Sequence, residues 1–161
     1  MWQRVGYSGG IPLSSTMFLG EYEYRIDQKG RVAVPPRFRG EFSGGIIVTR
    51  GYERCVVAYT PGEWSKLSES YTALPTTSSS SRQVNRLIFS SAFNLNLDRL
   101  GRLILPPSLK EYAQIQEKVV IAGVGNYLEI WGKESWERER AAMEEKAAEI
   151  AEGLRSEVGQ G

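Results

Sequence analysis

The five-residue stretch Asp27–Arg31 (DQKGR) returns as Asp98–Arg102 (DRLGR), and each copy is followed by an apolar triplet and two prolines. The motif begins at residue 27 and again at residue 98, so the copies are offset by 71 residues (98 − 27 = 71). The later landmarks Trp64 and Trp136 are 72 residues apart (136 − 64 = 72), a slip of one. A nearly fixed period indicates two copies of one structural unit of about 70 residues.

The residues around each motif predict a β-hairpin with the motif at its tip. Glu21–Ile26 alternates between polar and apolar side chains, as a half-buried strand does. Asp27–Gly30 is the predicted turn, with its glycine free to adopt a positive φ, and Arg31–Val34 resumes as a strand. In the second copy, Leu95–Leu97 and Arg102–Leu105 are the predicted flanking strands. Each proline pair is expected to end a strand and begin a short helix.

These patterns predict a β-rich α+β fold of two tandem ββαββ units, each with an appended helix, and a C-terminal helix. Units of this length rarely bury a sufficient core alone, so we expect the two to share a core or to pair across an interface. The C-terminal helix is predicted to carry an apolar seam that includes Trp136, Met143 and Ile150. The predicted divisions are a flexible N-terminal arm at 1–16, a first repeat at 17–74, a linking helix at 75–94, a second repeat with the C-terminal helix at 95–156, and a tail at 157–161.

Composition argues against catalysis and against metal binding. The 161 residues include no histidine, which removes the commonest general base and the commonest zinc ligand. The single cysteine, Cys55, lies in an apolar run, and we expect it to be a small buried hydrophobe rather than a reactive thiol. No apolar run approaches the roughly 18 residues of a membrane span. We therefore expect no cofactor, no metal, no small-molecule substrate and no membrane partner.

Basic residues concentrate around the first motif, although the net charge of the chain is only +1. A hairpin tip with arginines suits DNA, because a guanidinium binds phosphate or the guanine edge with two hydrogen bonds. The same residues allow an alternative in which Arg31 and Arg102 pair with Asp27 and Asp98 and only stabilise the turns. The five basic residues between positions 25 and 39 are Arg25, Lys29, Arg31, Arg37 and Arg39. The last two could reach phosphate or lie on a solvated helix face.

The sequence closely resembles the MraZ family, bacterial transcriptional regulators of the division and cell-wall gene cluster. The resemblance covers about residues 17–156 and includes both motifs, Met17–Tyr22, Arg82–Leu87, and Leu128–Trp131 with Trp136. It implies tandem AbrB-like (swapped-hairpin) units and a ring-like homo-oligomer. It also implies a repressor that binds repeated promoter boxes in double-stranded DNA, in the cytoplasm and associated with the nucleoid.

The resemblance assigns the DNA contacts residue by residue. Arg31 and Arg102 match the motif arginines and are the expected primary contacts. Lys29 adds charge in the first turn; the second turn has a leucine at that place, and Arg99 is expected to supply the charge instead. Arg25 is added from the strand that precedes the first turn. The residues expected to shape the turns and to orient the arginines are Asp27, Gly30, Asp98 and Gly101.

Three alternatives differ from this hypothesis. An AbrB-like antitoxin would also bind DNA, but such antitoxins usually carry one motif unit and a disordered toxin-binding tail. A structural ring-forming assembly protein would use its basic turns as contacts between subunits. An enzyme is the least favoured, because the chain has neither histidine nor a nucleophile motif.

Overall fold

The computed structural model describes residues 17–159; the predicted arm at 1–16 lies outside the described residues. The first unit contains β1 (Glu21–Arg25), β2 (Arg31–Ala33), a 3-10 helix (Pro36–Phe42), β3 (Ile46–Arg50), β4 (Val56–Tyr59) and α1 (Pro61–Thr72). A connecting helix, α2 (Ser79–Ser90), follows. The second unit contains β5 (Phe93–Leu95), β6 (Arg102–Ile104), α3 (Pro107–Tyr112), β7 (Lys118–Gly123), β8 (Leu128–Gly132), α4 (Lys133–Glu145) and α5 (Ala147–Gly159).

Local sequence explains where the helices begin. Thr60 and Ser78 cap α1 and α2, because each side-chain oxygen accepts a backbone N–H from the first helical turn. A proline occupies the first turn of the 3-10 helix, of α1 and of α3, where its fixed φ suits a helix start and its missing N–H costs nothing. The α+β class is confirmed; in the described residues helix, at 44%, exceeds strand, at 25%, because α1, α2, α4 and α5 are long and the strands are short.

The two units exchange strands. β1 pairs antiparallel with β7 and β5 pairs antiparallel with β3, so one six-stranded sheet has the order β1-β7-β8-β4-β3-β5. The remaining strands, β2 and β6, pair with each other as a separate two-stranded ladder. Both strands of each motif hairpin therefore find their partner in the other unit. The expectation that the two units share one core is met by this exchange.

The core lies between the two-stranded ladder and the large sheet. Val32 and Leu103 stand opposite each other in the ladder and are 0% and 1% exposed. They belong to a cluster with three aromatic rings, which come from Phe18 just before β1 and from Phe38 and Phe42 of the 3-10 helix. Phe18 contacts Phe38 edge-on at 5.0 Å and stacks with Phe42 at 5.5 Å between ring centroids. These contacts fix the inner face of the ladder against the body of the protein.

Several predicted elements have different bounds in the structure, among them β5 and the C-terminal helix. The strand expected at Leu95–Leu97 is β5 at Phe93–Leu95, because its backbone pairs with Ile46–Val48 of β3. The single predicted C-terminal helix is divided into α4 and α5 at Lys146, whose φ of −108° and ψ of 13° leave the helical range. Among the helices of residues 17–159, none is long and apolar enough to span a membrane.

The ladder offers a matched test of what holds the fold. Leu103→Ala removes a side chain that is 1% exposed, and we expect the free energy of unfolding to fall by about 2–5 kcal/mol because a cavity forms in the shared core. Ile104→Ala, at the neighbouring position that is 61% exposed, should change it by less than about 0.5 kcal/mol. Denaturant unfolding of both variants measures the difference. Equal losses would show that the ladder does not cover a core.

Candidate nucleic-acid interface

The carboxylate of Asp27 organises the first motif turn. Its Oδ1 accepts the backbone N–H groups of Lys29 and Arg31, each at 2.9 Å. Its Oδ2 accepts Nε–H of the Arg31 side chain at 2.6 Å. Gly30 has a φ of +79°, in the left-handed region that glycine adopts without steric cost. One carboxylate therefore shapes the turn and holds the arginine beside it.

The second motif turn repeats this arrangement. Oδ1 of Asp98 accepts the backbone N–H groups of Leu100 and Arg102, each at 2.9 Å, and Oδ2 accepts Nε–H of Arg102 at 2.9 Å. Gly101 has a φ of +75°. The turns agree in every one of these bonds although their middle residues differ. The sequence pattern thus fixes the same local geometry twice.

Both turn carboxyls have lowered pKa values. The backbone N–H of Arg31, and after it the Arg31 side chain, hold the pKa of Asp27 below its ordinary value of 3.8. The equivalent bonds from Arg102 lower the pKa of Asp98. Both aspartates are therefore ionised at neutral pH. They engage only Nε of each arginine; in residues 17–159, neither Arg31 nor Arg102 has a hydrogen-bond partner for its terminal Nη groups.

The ladder places both motif arginines on one face. Arg31 lies opposite Ile104, and Ala33 lies opposite Arg102. Since directly opposed residues share a face of an antiparallel pair, these four side chains lie on the side away from the buried Val32–Leu103 pair. We call this side, with the two turns that flank it, the outer ladder face. The two arginines are diagonal neighbours, which puts them about 7–8 Å apart at the backbone.

Reciprocal backbone bonds fix the two turns relative to each other. The N–H of Val34 donates to the carbonyl of Gly101 at 2.9 Å, and the N–H of Leu105 donates to the carbonyl of Gly30 at 2.8 Å. Each turn is therefore attached to the strand that follows the other turn. The arrangement has the pattern of an internal two-fold axis through the ladder, so the spacing of the motif arginines is set by backbone hydrogen bonds.

The other predicted contact residues lie around the first and second turns. Lys29 and Arg99 are exposed at the two tips. Arg25 ends β1, where its guanidinium lies 3.7 Å from the carboxylate of Glu117. The structure also places Arg39, from the 3-10 helix, directly against Gly101. The spacing of residues in the sequence does not predict that contact, because Arg39 lies in the first repeat and Gly101 in the second.

The remaining chemistry-bearing groups lie elsewhere. Cys55 is fully buried, and burial raises the pKa of its thiol, so it stays protonated; the expectation of a buried, inert cysteine is confirmed. Within the described part of the chain, no three His, Cys, Asp or Glu side chains are grouped so that they could hold a metal ion.

Comparison with known proteins finds relatives of this sequence. The family model described as "MraZ protein, putative antitoxin-like" matches residues 17–87 and again 88–154. A protein of Dehalococcoides mccartyi (strain ATCC BAA-2266 / KCTC 15142 / 195), named transcriptional regulator MraZ, is 48% identical over 139 residues, covering 86% of this chain and 98% of its own. Proteins of the same name from Roseiflexus castenholzii and Halothermothrix orenii are 42% and 40% identical over 138 residues, covering 86% of this chain and 96% of theirs.

The structure defines a duplicated α+β protein whose two motif hairpins exchange strands. The chain belongs to the MraZ family, which confirms the resemblance. That family comprises transcriptional regulators and not enzymes, so the enzyme alternative is set aside. The two family matches meet inside α2, at residues 87 and 88; the predicted linking helix at 75–94 stays a prediction.

The lowered pKa values give a test with a defined sign. The chain contains two aspartates, both in the motifs, so their carboxyl signals can be followed by NMR without interference from other aspartates. We expect both to titrate below 3.8. Because the folded-state pKa is lowered, the stabilisation is present above the unfolded-state value and is lost as the pH falls through the folded-state pKa. Midpoints at or above 3.8 would contradict the hydrogen-bonded turn.

Proposed function

We propose that the protein is a DNA-binding transcriptional repressor that acts on the division and cell-wall gene cluster. It binds repeated boxes in double-stranded promoter DNA through the outer ladder face. The observation that carries the proposal is the pair of motif arginines, Arg31 and Arg102, on one face with their Nη groups unpaired in the described residues. The regulator role of the named relatives supports it.

The motif geometry suits recognition of DNA because the arginines are preorganised. Each aspartate holds Nε of its arginine, so the side chain is oriented before binding and less conformational entropy is lost on contact. The remaining N–H groups can engage a phosphate or the O6/N7 edge of guanine. Lys29, Arg99 and Arg25 add positive charge around the turns for phosphate contacts. The aspartates would repel phosphate, so their role is to shape the turns.

The proposal includes a ring-like homo-oligomer. The C-terminal helices carry large apolar side chains that stay exposed in the single chain: Met143, Ile150, Leu154 and Val158. A second copy that covers this surface would remove it from water. A closed ring then presents several outer ladder faces to successive boxes, and the linked contacts raise the overall affinity beyond that of one face. Such a regulator acts in the cytoplasm, associated with the nucleoid.

Two other functions use the same residues. The description of the matching family as antitoxin-like favours an AbrB-like antitoxin. Against it, this chain has two motif units, and its C-terminal region is helical as far as Gly159. A structural assembly protein would place the basic turns between subunits, so that loss of a motif arginine would break the oligomer. The arginine variants below separate the structural assembly protein from a DNA-binding protein.

Removal of either motif arginine should weaken DNA binding. We expect Arg31→Ala and Arg102→Ala each to cost about 1–3 kcal/mol per contact, amplified in an oligomer. An electrophoretic shift assay with the duplex upstream of the protein's own gene, at matched salt, measures the loss. Lys66→Ala, which removes one positive charge from α1, is the control and should bind normally. Unchanged affinity in both arginine variants would assign the turns a purely structural role.

The oligomer makes a separate prediction. Size exclusion coupled to light scattering should give a mass that is a multiple of 18.0 kDa. Leu154→Asp places a charge in the apolar surface of α5 and should shift the mass downward, whereas Ser156→Asp, at an exposed polar position on the same helix, should not. A stable species of 18.0 kDa for the unmodified protein at micromolar concentration would exclude the ring.

A further inference from the structure

The two motif turns have the same backbone but not the same charges. Positions that match at the 71-residue offset hold Arg25 and Asn96, and Lys29 and Leu100. The second turn has Arg99 where the first has a glutamine. Counting only residues of the same repeat, the second turn still has one cation fewer than the first. The basic residues of the first turn are Arg25, Lys29 and Arg31, and those of the second are Arg99 and Arg102.

Arg39, which belongs to the first repeat, lies against the second turn. Its Nε–H donates to the carbonyl of Val34 at 2.8 Å. Val34 in turn donates its N–H to the carbonyl of Gly101. The arginine side chain fills the space beside the glycine: a Cβ at position 101 would come within 2.1 Å of Nε and 2.3 Å of Cδ of Arg39. The 3-10 helix thus delivers a cation to the tip of the other repeat.

Among residues 17–159, the first turn has no equivalent of Arg39. A Cβ at Gly30 would meet nothing closer than the carbonyl oxygen of Leu105, at 3.6 Å. The position that matches Arg39 at the same offset is Lys110 in α3, and its side chain is not among the neighbours of Gly30. In the described part of the chain, no acidic side chain pairs with Arg39. Arg39 borders a shallow cavity of about 260 Å³ that Asn96, Asp98 and Arg99 also line.

We propose that the second DNA-binding tip is a composite of both repeats, in which Arg39 contacts a backbone phosphate beside the turn at Asp98–Arg102. This inference rests on the proposed function and adds a contact residue to it. Arg39 restores the second tip to three cations, equal to the first. Nε is occupied by the Val34 carbonyl, and the terminal Nη groups supply the phosphate contact. A phosphate contact contributes affinity without sequence preference.

The test uses the full-length protein and two duplexes, the promoter upstream of its own gene and a scrambled sequence of equal length. Arg39→Ala should weaken binding to both duplexes by the same factor. It should also make the salt dependence shallower, with a decrease of about 0.9 in the slope for each phosphate that the variant no longer binds. Lys110→Ala removes the matching charge from the other repeat. This control should bind like the unmodified protein.

Two further substitutions separate contact with DNA from support of the fold. Arg39→Lys keeps the charge and should retain most of the binding, because phosphate accepts lysine as a point charge. Arg39→Gln keeps a hydrogen-bond donor of similar length without the charge and should bind as poorly as Arg39→Ala. If Arg39 merely supports the turn, the glutamine variant will bind at least as well as the lysine variant, and the inference is overturned.

A double-mutant cycle tests the contact with Gly101. Gly101→Ala strains the turn and displaces Arg39, whereas Gly30→Ala strains its turn alone. We expect Gly101→Ala to weaken binding more than Gly30→Ala does, and this excess to vanish in an Arg39→Ala background. Normal binding by Arg31→Ala and Arg102→Ala would defeat the proposed function itself. Weak binding by those two together with normal binding by Arg39→Ala would defeat only the composite tip.

Discussion

The pairing of β2 with β6 is the interaction on which the rest of the molecule depends. The antiparallel register puts Val32 opposite Leu103 on the inner face and both motif arginines on the outer face. One residue of slip would turn the apolar pair to solvent and the arginines into the core, so burial of that pair fixes the register. The ladder also supplies the reciprocal bonds from Val34 and Leu105 to the two glycine carbonyls. Core, turn spacing and arginine placement therefore have one common cause.

Strand exchange joins the two repeats into one folded unit. β1 and β5 complete the large sheet by pairing with strands of the opposite repeat, so neither repeat holds a finished sheet of its own. A unit of about 70 residues buries a small share of its surface and is only marginally stable alone. Strand exchange lets both repeats use a single core. Burial in the shared core offsets the conformational entropy that the chain loses on folding. The motif arginines in the turns at the edge of the core are therefore already oriented before DNA binds. A rigid scaffold with exposed, preorganised tips is the usual condition for selective binding.

The sequence predicts the local parts of this structure and not their partners. The motif turns, the proline-initiated helices and the capped α2 follow from residues within a few positions of one another, where turn and cap chemistry decides the conformation. The bounds of β5 could not be predicted, because they depend on pairing with β3, far along the chain. The break between α4 and α5 at Lys146 could not be predicted, because the residues around it include neither proline nor glycine. The contact of Arg39 with Gly101 could not be predicted for another reason. Both motif glycines are already explained by their positive φ. The sequence therefore does not show that Gly101 is also needed because the Arg39 side chain fills the space of a Cβ.

The duplicated face is symmetric in its backbone and asymmetric in its charges, and this combination bears on how it would meet DNA. A face with a true two-fold axis has no preferred direction along a duplex and matches palindromic half-sites. Here the first tip carries Lys29 and Arg25, and the second carries Arg99 with Arg39 beside it. Under the proposed function, two tips with the same arginine geometry and different surrounding cations would bind a DNA box better in one direction than in the other. In the proposed ring, equal subunits would meet direct repeats in the same direction, which is the DNA arrangement that such a face suits.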